Sequence, residues 1–265
     1  MPDRHTLIVA FLGATLAAGL ADAQEKARQY KTHERPGAAG PAFEVKEIAA
    51  SDGHVLPYSL FVPAKIEDGA KLPLVLCLHG IQGATVAADK LALDDSQAKH
   101  PCIVVAPRCD PATSGWVKFS MAGFRTGSQA ERRSLAEEIF ELLDHLEMTL
   151  PVDPDRVYVT GQSMGGIGTW GLLAARHERF AAAAPVCGIW PSEDAPKMVT
   201  VPIWAFHGAL DGRVPVRGSR DMVAALKAAG GDPKYTEYPD VNHNSWGKAY
   251  NTPELWDWMF EQRRK

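Results

Sequence analysis

Cysteine is scarce in this 265-residue chain, four in all, with no C-x-x-C pair, and no H-E-x-x-H stretch occurs. The sequence thus carries no metal-site signature, and we expect neither metal nor cofactor. An excess of one charge is missing too, since 28 basic and 32 acidic side chains leave a net charge of −4. Nucleic-acid modules tend to be strongly basic, which argues against that partner. Disordered chains combine low hydrophobicity with high net charge, and 46% hydrophobic content excludes that class. No internal repeat is visible. A chain this long buries about 70–75% of its unfolded surface, so it needs no disulfide or metal staple. One large domain is expected.

Long apolar runs are absent, apart from Leu7–Leu20. That stretch rises only about 21 Å as a helix, short of the roughly 30 Å of a bilayer core. Arg4 and His5 precede it and Ala21-Asp22-Ala23 follows, a basic start and a small-x-small cleavage site. We expect a signal peptide over 1–23, a flexible linker over 24–42 and a folded domain over 43–265. The expected location is extracytoplasmic, secreted or periplasmic, with no stable membrane insertion after cleavage. No Cys stands near the cleavage point for lipid attachment, and no twin arginine appears. An oxidising compartment raises the question of disulfides among Cys77, Cys102, Cys109 and Cys187. Cys102 and Cys109 flank an apolar strand whose seven extended steps span about 23 Å, beyond the roughly 7 Å limit for a bridge. The remaining pairings stay open.

What is present is an alternation of strand and helix. Phe43–Ile48 and Leu56–Val62 read as outer strands. Leu74–Leu78, Ile103–Ala106, Val157–Thr160, Ala181–Val186 and Ile203–Phe206 are continuous apolar runs, which suit parallel strands buried on both faces. Lys234–Tyr238 adds a short strand. Leu135, Ile139, Leu142, Leu143, Leu146 and Leu150 recur at helical spacing behind a capping box at Ser128–Glu131. Ser219–Ala229 ends at Gly230-Gly231, and Thr252-Pro253-Glu254 opens a last helix. The expected fold is α/β, a mostly parallel twisted sheet with antiparallel N-terminal strands and helices on both faces. The ligand site of such a sheet lies at the C-terminal strand ends.

At those ends lies Gly161-Gln-Ser-Met-Gly165, between a buried strand and a helix. As a bare G-x-S-x-G pattern this is weak, but the strand–turn–helix setting gives it a mechanism. The tight turn projects the Ser163 hydroxyl above the sheet. A serine nucleophile needs a base, and the base an orienting acid. Of the nine histidines, only His177, His207 and His243 follow Ser163. His177 reads as a solvated surface residue and His207 as structural at a strand end, which leaves His243 in the polar loop Pro239–Trp246. Asp211, after the strand Ile203–Phe206, is the favoured acid. Asp240, three residues before His243, is its rival and otherwise a turn residue. The oxyanion site needs two backbone N–H groups. Met164 should supply one and Ile81, in His79-Gly-Ile-Gln-Gly83, the other, with Gln82 as the runner-up and also a substrate contact. His79 reads as a structural hydrogen-bonding residue. Trp116, Trp190 and Trp246 are candidates for a substrate-stacking platform. Trp170, Trp204, Trp256 and Trp258 read as core.

Leu78-His-Gly80, Gly161–Gly166, Phe206-His-Gly208 with Asp211, and Asn242–Trp246 together resemble the α/β-hydrolase superfamily. More narrowly they resemble its secreted predicted-peptidase and phospholipase/carboxylesterase group, related to dienelactone hydrolases, polyhydroxybutyrate depolymerases and feruloyl esterases. The resemblance covers about residues 43–265 and implies Ser163, Asp211 and His243 as the triad. The expected activity is hydrolysis of carboxylic esters through an acyl-enzyme, on a small-molecule or polysaccharide-linked substrate. A peptidase or phospholipase on the same triad, and a noncatalytic carbohydrate-binding protein, are the alternatives. With 1–42 set aside, the chain has no length for a gating domain, which favours an ester over a gated peptide substrate. The oligomeric state is not legible.

Overall fold

The computed structural model describes residues 43–119 and 133–264. The expected signal peptide and linker, and the capping box at Ser128–Glu131, lie outside the described residues. Along the chain run β1 (Glu44–Ala49), β2 (Val55–Phe61), β3 (Leu72–Leu78), α1 (Val86–Leu91), α2 (Asp94–Lys99), β4 (Ile103–Pro107) and the two-residue strands β5 (Ser114–Gly115) and β6 (Arg133–Ser134). Then come α3 (Ala136–Thr149), β7 (Val152–Gln162), α4 (Met164–Arg176), β8 (Ala182–Val186), β9 (Trp204–Gly208), α5 (Val216–Ala228), β10 (Lys234–Tyr238), α6 (Trp246–Ala249) and α7 (Pro253–Glu261).

Eight strands form one sheet in the order β1-β2-β4-β3-β7-β8-β9-β10. β1 pairs antiparallel with β2, and β2 antiparallel with β4, while every later pairing is parallel. The architecture matches the expected mostly parallel sheet with antiparallel N-terminal strands. Its central strands read as unbroken apolar runs because both faces are covered. Leu74, Leu76 and Leu78 of β3 enter one core with α3, α4 and α5, whereas Val75 and Cys77 enter a second core with α1 and α7. Ile103 and Val105 of β4 alternate with Val104 and Ala106 in the same way, as a period of two requires. The outer strand β1 shows no such run; its residues are mostly exposed.

Helix ends follow their local chemistry in part. Gly230, at φ +91°, closes α5, and Pro253 sits in the first turn of α7. The short helices α1, α2 and α6 carry too few turns for a legible period, and the sequence pattern passes over them. Trp170 and Trp256 are core residues as expected. Trp204 and Trp258 instead form a half-buried edge-to-face pair, with the Lys234 ammonium 4.7 Å from the Trp204 ring centre. All four cysteines are buried free thiols. Among the described residues no helix is long and apolar enough to cross a membrane.

The parallel strands share a direction, so the segments leaving β3, β4, β7, β8, β9 and β10 emerge at one end of the sheet. These segments carry His79–Gly83, Arg108, Ser163, Cys187, Asp211 and His243. One edge of a scaffold built for burial thus collects the polar side chains of six distant stretches.

Candidate active site

Ser163 sits between β7 and α4 at φ 57°, ψ −116°, a backbone state that a side chain rarely adopts and that costs on the order of 1–3 kcal/mol. The turn is possible because Gly165 is a glycine. A Cβ there would lie 2.0 Å from the Leu78 carbonyl oxygen, so α4 could not start this close to β3 with any other residue. The strained turn lifts the serine clear of the sheet toward the neighbouring strand ends.

The Ser163 hydroxyl lies 2.9 Å from His243 Nε2, and His243 Nδ1 lies 2.7 Å from Asp211 Oδ2. Three segments between 32 and 80 residues apart in sequence therefore form one hydrogen-bonded relay. Asp211 leaves β9 through a tight turn, where its Oδ1 accepts the backbone N–H groups of Arg213 and Val214 at 2.8 and 2.9 Å. Burial by itself would raise this carboxyl. Hydrogen bonds from His207, His243, Val214 and Arg213 outweigh it and hold the group well below the usual carboxylate range. Asp211 is thus an ionised acceptor at any working pH. Asp240 is exposed in the turn after β10, and His177 is a surface residue 3.6 Å from Glu178. Neither takes part in the relay.

The loop after β3 faces this serine. Gly83 N–H donates to the Gly80 carbonyl at 3.0 Å, closing a turn with Ile81 and Gln82 at its centre. A Cβ on Gly80 would lie 3.5 Å from Ser163 Cβ, so the loop runs directly past this serine. Gln162 Nε2 donates to the Ala84 carbonyl at 3.3 Å, and Arg108 Nη1 donates to the Gly83 carbonyl at 3.0 Å, which pins the turn from both sides. Met164 is the first residue of α4, so its N–H has no partner within the helix. The Gly80–Gly83 turn and the first residue of α4 thus both lie beside Ser163.

His79 organises that loop from beneath. Its Nδ1–H donates to the Gly80 carbonyl at 2.7 Å and its Nε2 accepts the Cys109 N–H at 3.0 Å, which fixes one neutral tautomer. Burial, and secondarily the Arg108 charge, push the ring down to about 4, against the opposing pull of the Gly80 carbonyl. Because the folded value lies below the unfolded one, the unfolded chain binds more protons between about pH 6.5 and 4, and stability is lost as pH falls through that window. For this one ring the loss is about 3 kcal/mol. Urea unfolding at pH 7, 5.5 and 4 should show that slope in the wild type, and a shallower one in His79→Gln. Equal slopes would assign the acid sensitivity to other groups.

The aromatic candidates separate. Trp116 is 1% exposed, its indole N–H donates to the His79 carbonyl at 2.9 Å, and its edge packs on the His79 ring. It offers no free face to a ligand, so the expected stacking role is corrected to support of His79 and the loop that follows it. Trp190 is half-buried against Phe119 and bonds Asp194 Oδ2 at 2.8 Å. Trp246 stands edge-on to the His243 ring at 5.4 Å, and Gln82 is exposed on the loop turn. Ile81 and Leu210 are exposed at 61% and 64%, and these apolar side chains flank the loop turn and Asp211.

Cys187 and His207 adjoin the relay, where neither was expected. Cys187 follows β8 at φ 42°, and its sulfur, an Asp211 carboxylate oxygen and a His243 ring nitrogen all lie within 4.8 Å of one another. Burial pushes its thiol up to about 12, so it stays protonated beside the carboxylate. As a donor set for a metal, this cluster is the relay itself, with both carboxylate oxygens already hydrogen-bonded. His207 lies 3.2 Å from Asp211 Oδ2. Its position four residues before the acid was the available signal.

Comparison with known proteins places the chain in a family. A family model named Esterase, described as "Putative esterase", matches residues 53–256. The poly(3-hydroxyalkanoate) depolymerase C of Paucimonas lemoignei is 30% identical over 119 residues, 45% of this chain and 28% of that protein. The uncharacterized peptidase YuxL of Bacillus subtilis is 24% identical over 238 residues, 75% of this chain and 35% of that protein. The crystal structure of a thermostable esterase superposes with a TM-score of 0.75 at 32% identity, covering 84% of this chain and 63% of that one. The chain thus spans about a third of the length of these two curated relatives.

Proposed function

We propose, for a chain that belongs to the Esterase family, the hydrolysis of carboxylic esters through a covalent acyl-enzyme. The observation that carries this reading is the unbroken relay from Ser163 Oγ through His243 to Asp211, with the Gly80–Gly83 turn beside the serine. Ser163 attacks the ester carbonyl while His243 Nε2 takes its proton. The negative charge that develops on the carbonyl oxygen meets the N–H groups of Met164 and Ile81. His243 then returns the proton to the leaving alcohol, and a water repeats the sequence to release the acid. Asp211 holds the imidazole in the tautomer that keeps Nε2 free to accept.

An ester is favoured over an amide by the Esterase family match. The likeness to a protein named as a peptidase makes peptide cleavage the second reading. Phospholipid cleavage on the same triad, and noncatalytic carbohydrate binding, have no such observation behind them. A basic start, a short apolar run and the Ala21–Ala23 cleavage pattern support an extracytoplasmic location.

One panel decides among the substrates: p-nitrophenyl acetate, a bulkier aryl-acyl ester, acetylated and feruloylated oligosaccharides, short peptides and phospholipid. Turnover of the esters with none of the peptides is the expected result, and the reverse ranking would overturn it. In the same panel Trp246→Ala should lower kcat/KM for the aryl-acyl ester about fivefold, as loss of one aromatic contact does. The acetyl ester should be unaffected. A uniform loss across both esters would show that Trp246 only packs against His243.

A further inference from the structure

His207 was expected to be a strand-end structural residue, yet its hydrogen bonds lead into the relay. The ring is fully buried, with Nε2 3.0 Å from the Val214 carbonyl oxygen and 3.2 Å from Asp211 Oδ2. Both partners are acceptors only, so Nε2 must carry a hydrogen. On the other side Nδ1 is 2.8 Å from Ser219 Oγ, and that hydroxyl is 3.0 Å from the Gly188 carbonyl oxygen. The single Ser219 proton goes either to Nδ1 or to Gly188, and in both cases the one Nε2–H lies between the Val214 carbonyl oxygen and Asp211 Oδ2, which share it. The nearest acidic group on the adjoining strand, Glu237 of β10, is held by Arg220 and by the Tyr235 hydroxyl. Asp211 Oδ2 is therefore the carboxylate oxygen that faces this ring.

The four acceptor directions of Asp211 are now accounted for. Oδ1 takes the Arg213 and Val214 N–H groups, and Oδ2 takes His243 Nδ1–H on one side and His207 Nε2–H on the other. Two backbone donors fix one end of the carboxylate, but they still allow the other end to tilt. The His207 Nε2–H, shared with the Val214 carbonyl, is the second side-chain donor beside Oδ2 and limits that tilt from the side opposite His243.

We propose that His207 is a positioning residue of this hydrolase, holding Asp211 Oδ2 in line with His243 Nδ1 and sharing its negative charge. It rests on the ester-hydrolase reading for its kinetic consequence but not for its geometry. Removing the Nε2–H leaves Oδ2 with one donor, so the carboxylate binds the His243 proton more tightly but points less well. Two opposite signatures follow, a lower kcat and an acid limb displaced toward higher pH.

The two amide variants of this position separate the roles. In His207→Gln the side-chain N–H reaches the place of Nε2 and retains the bond to Asp211. In His207→Asn it reaches only the place of Nδ1 and retains the contact with Ser219. On the full chain, His207→Asn should lower kcat on p-nitrophenyl acetate about tenfold, the size of one charge-assisted hydrogen bond, with KM unchanged. Its acid limb of kcat/KM should move up by about half a pH unit, and His207→Gln should restore both. The low-field proton resonance of the His243–Asp211 bond, read by NMR without substrate, should shift in His207→Asn and return in His207→Gln. A shifted resonance in a protein that hydrolyses no ester would overturn the esterase reading and leave the positioning role standing. Equal kinetics and an unmoved resonance in both variants, or failure of both to fold, would reduce His207 to a packing residue and overturn the proposal.

Discussion

Ser163→Ala is expected to lower kcat on p-nitrophenyl acetate by about 10⁶-fold, leaving a background set by the oxyanion donors and substrate binding alone. The size follows from what is lost. Without Oγ no acyl-enzyme forms, and His243 has no proton to take, so the relay contributes nothing. The fold should survive, because alanine keeps the Cβ that Ser163 already carries at φ 57° and removes only a hydroxyl whose partner is His243. Matched melting curves with loss of turnover and of fluorophosphonate labelling would complete the result. Equal turnover in wild type and variant would place the reaction elsewhere on the molecule.

Asp211→Asn should cost about 10⁴ in kcat, and the surroundings say why. The Arg213 and Val214 N–H groups demand an acceptor at the Oδ1 position, so the amide oxygen must go there. The NH₂ then replaces Oδ2, against His243 Nδ1 and the His207 Nε2–H. A donor facing Nδ1 forces the His243 hydrogen onto Nε2, where it points at Ser163 and cannot accept a proton. The same NH₂ also meets a second donor on His207, so this variant should lose stability as well as rate. Steady-state kinetics with urea unfolding checks both. A rate within tenfold of wild type would remove Asp211 from the relay and reopen the case for Asp240.

Much of this site was readable along the chain because its parts lie at the ends of strands with strong local signals. The G-x-S-x-G turn is a backbone device with small residues at fixed offsets, and Asp211 and His243 follow the apolar runs that become β9 and β10. Trp116 was misplaced, and the contact of His207 with Asp211 went unseen, for a common reason. Each is a polar-tipped residue beside a glycine at a strand end, so the sequence shows its neighbours in the chain but not its burial. Trp116 looked like a binding platform and is a prop under His79, whereas His207 looked like a prop and touches the acid. The helices α1, α2 and α6 escaped because four to six residues cannot display a helical period. Cys187 gave no signal at all, since a buried thiol in an apolar run reads as plain core.

What the amino-acid order decided alone is the alternation of buried strands and helices, the serine turn, and which histidine and aspartate follow it. These are local properties: a period of two or of 3.6, a glycine where the backbone must pass closely, a polar loop after an apolar run. What only the tertiary structure decided is the convergence. Parallel pairing in the order β3-β7-β8-β9-β10 brings the ends of these strands to one side. There the Asp211 carboxylate is enclosed by four donors, two from its own turn and one from each of two histidines. Hydrogen bonds between residues 32 and 80 positions apart depend on sheet register and burial, and neither is written in any short stretch of sequence.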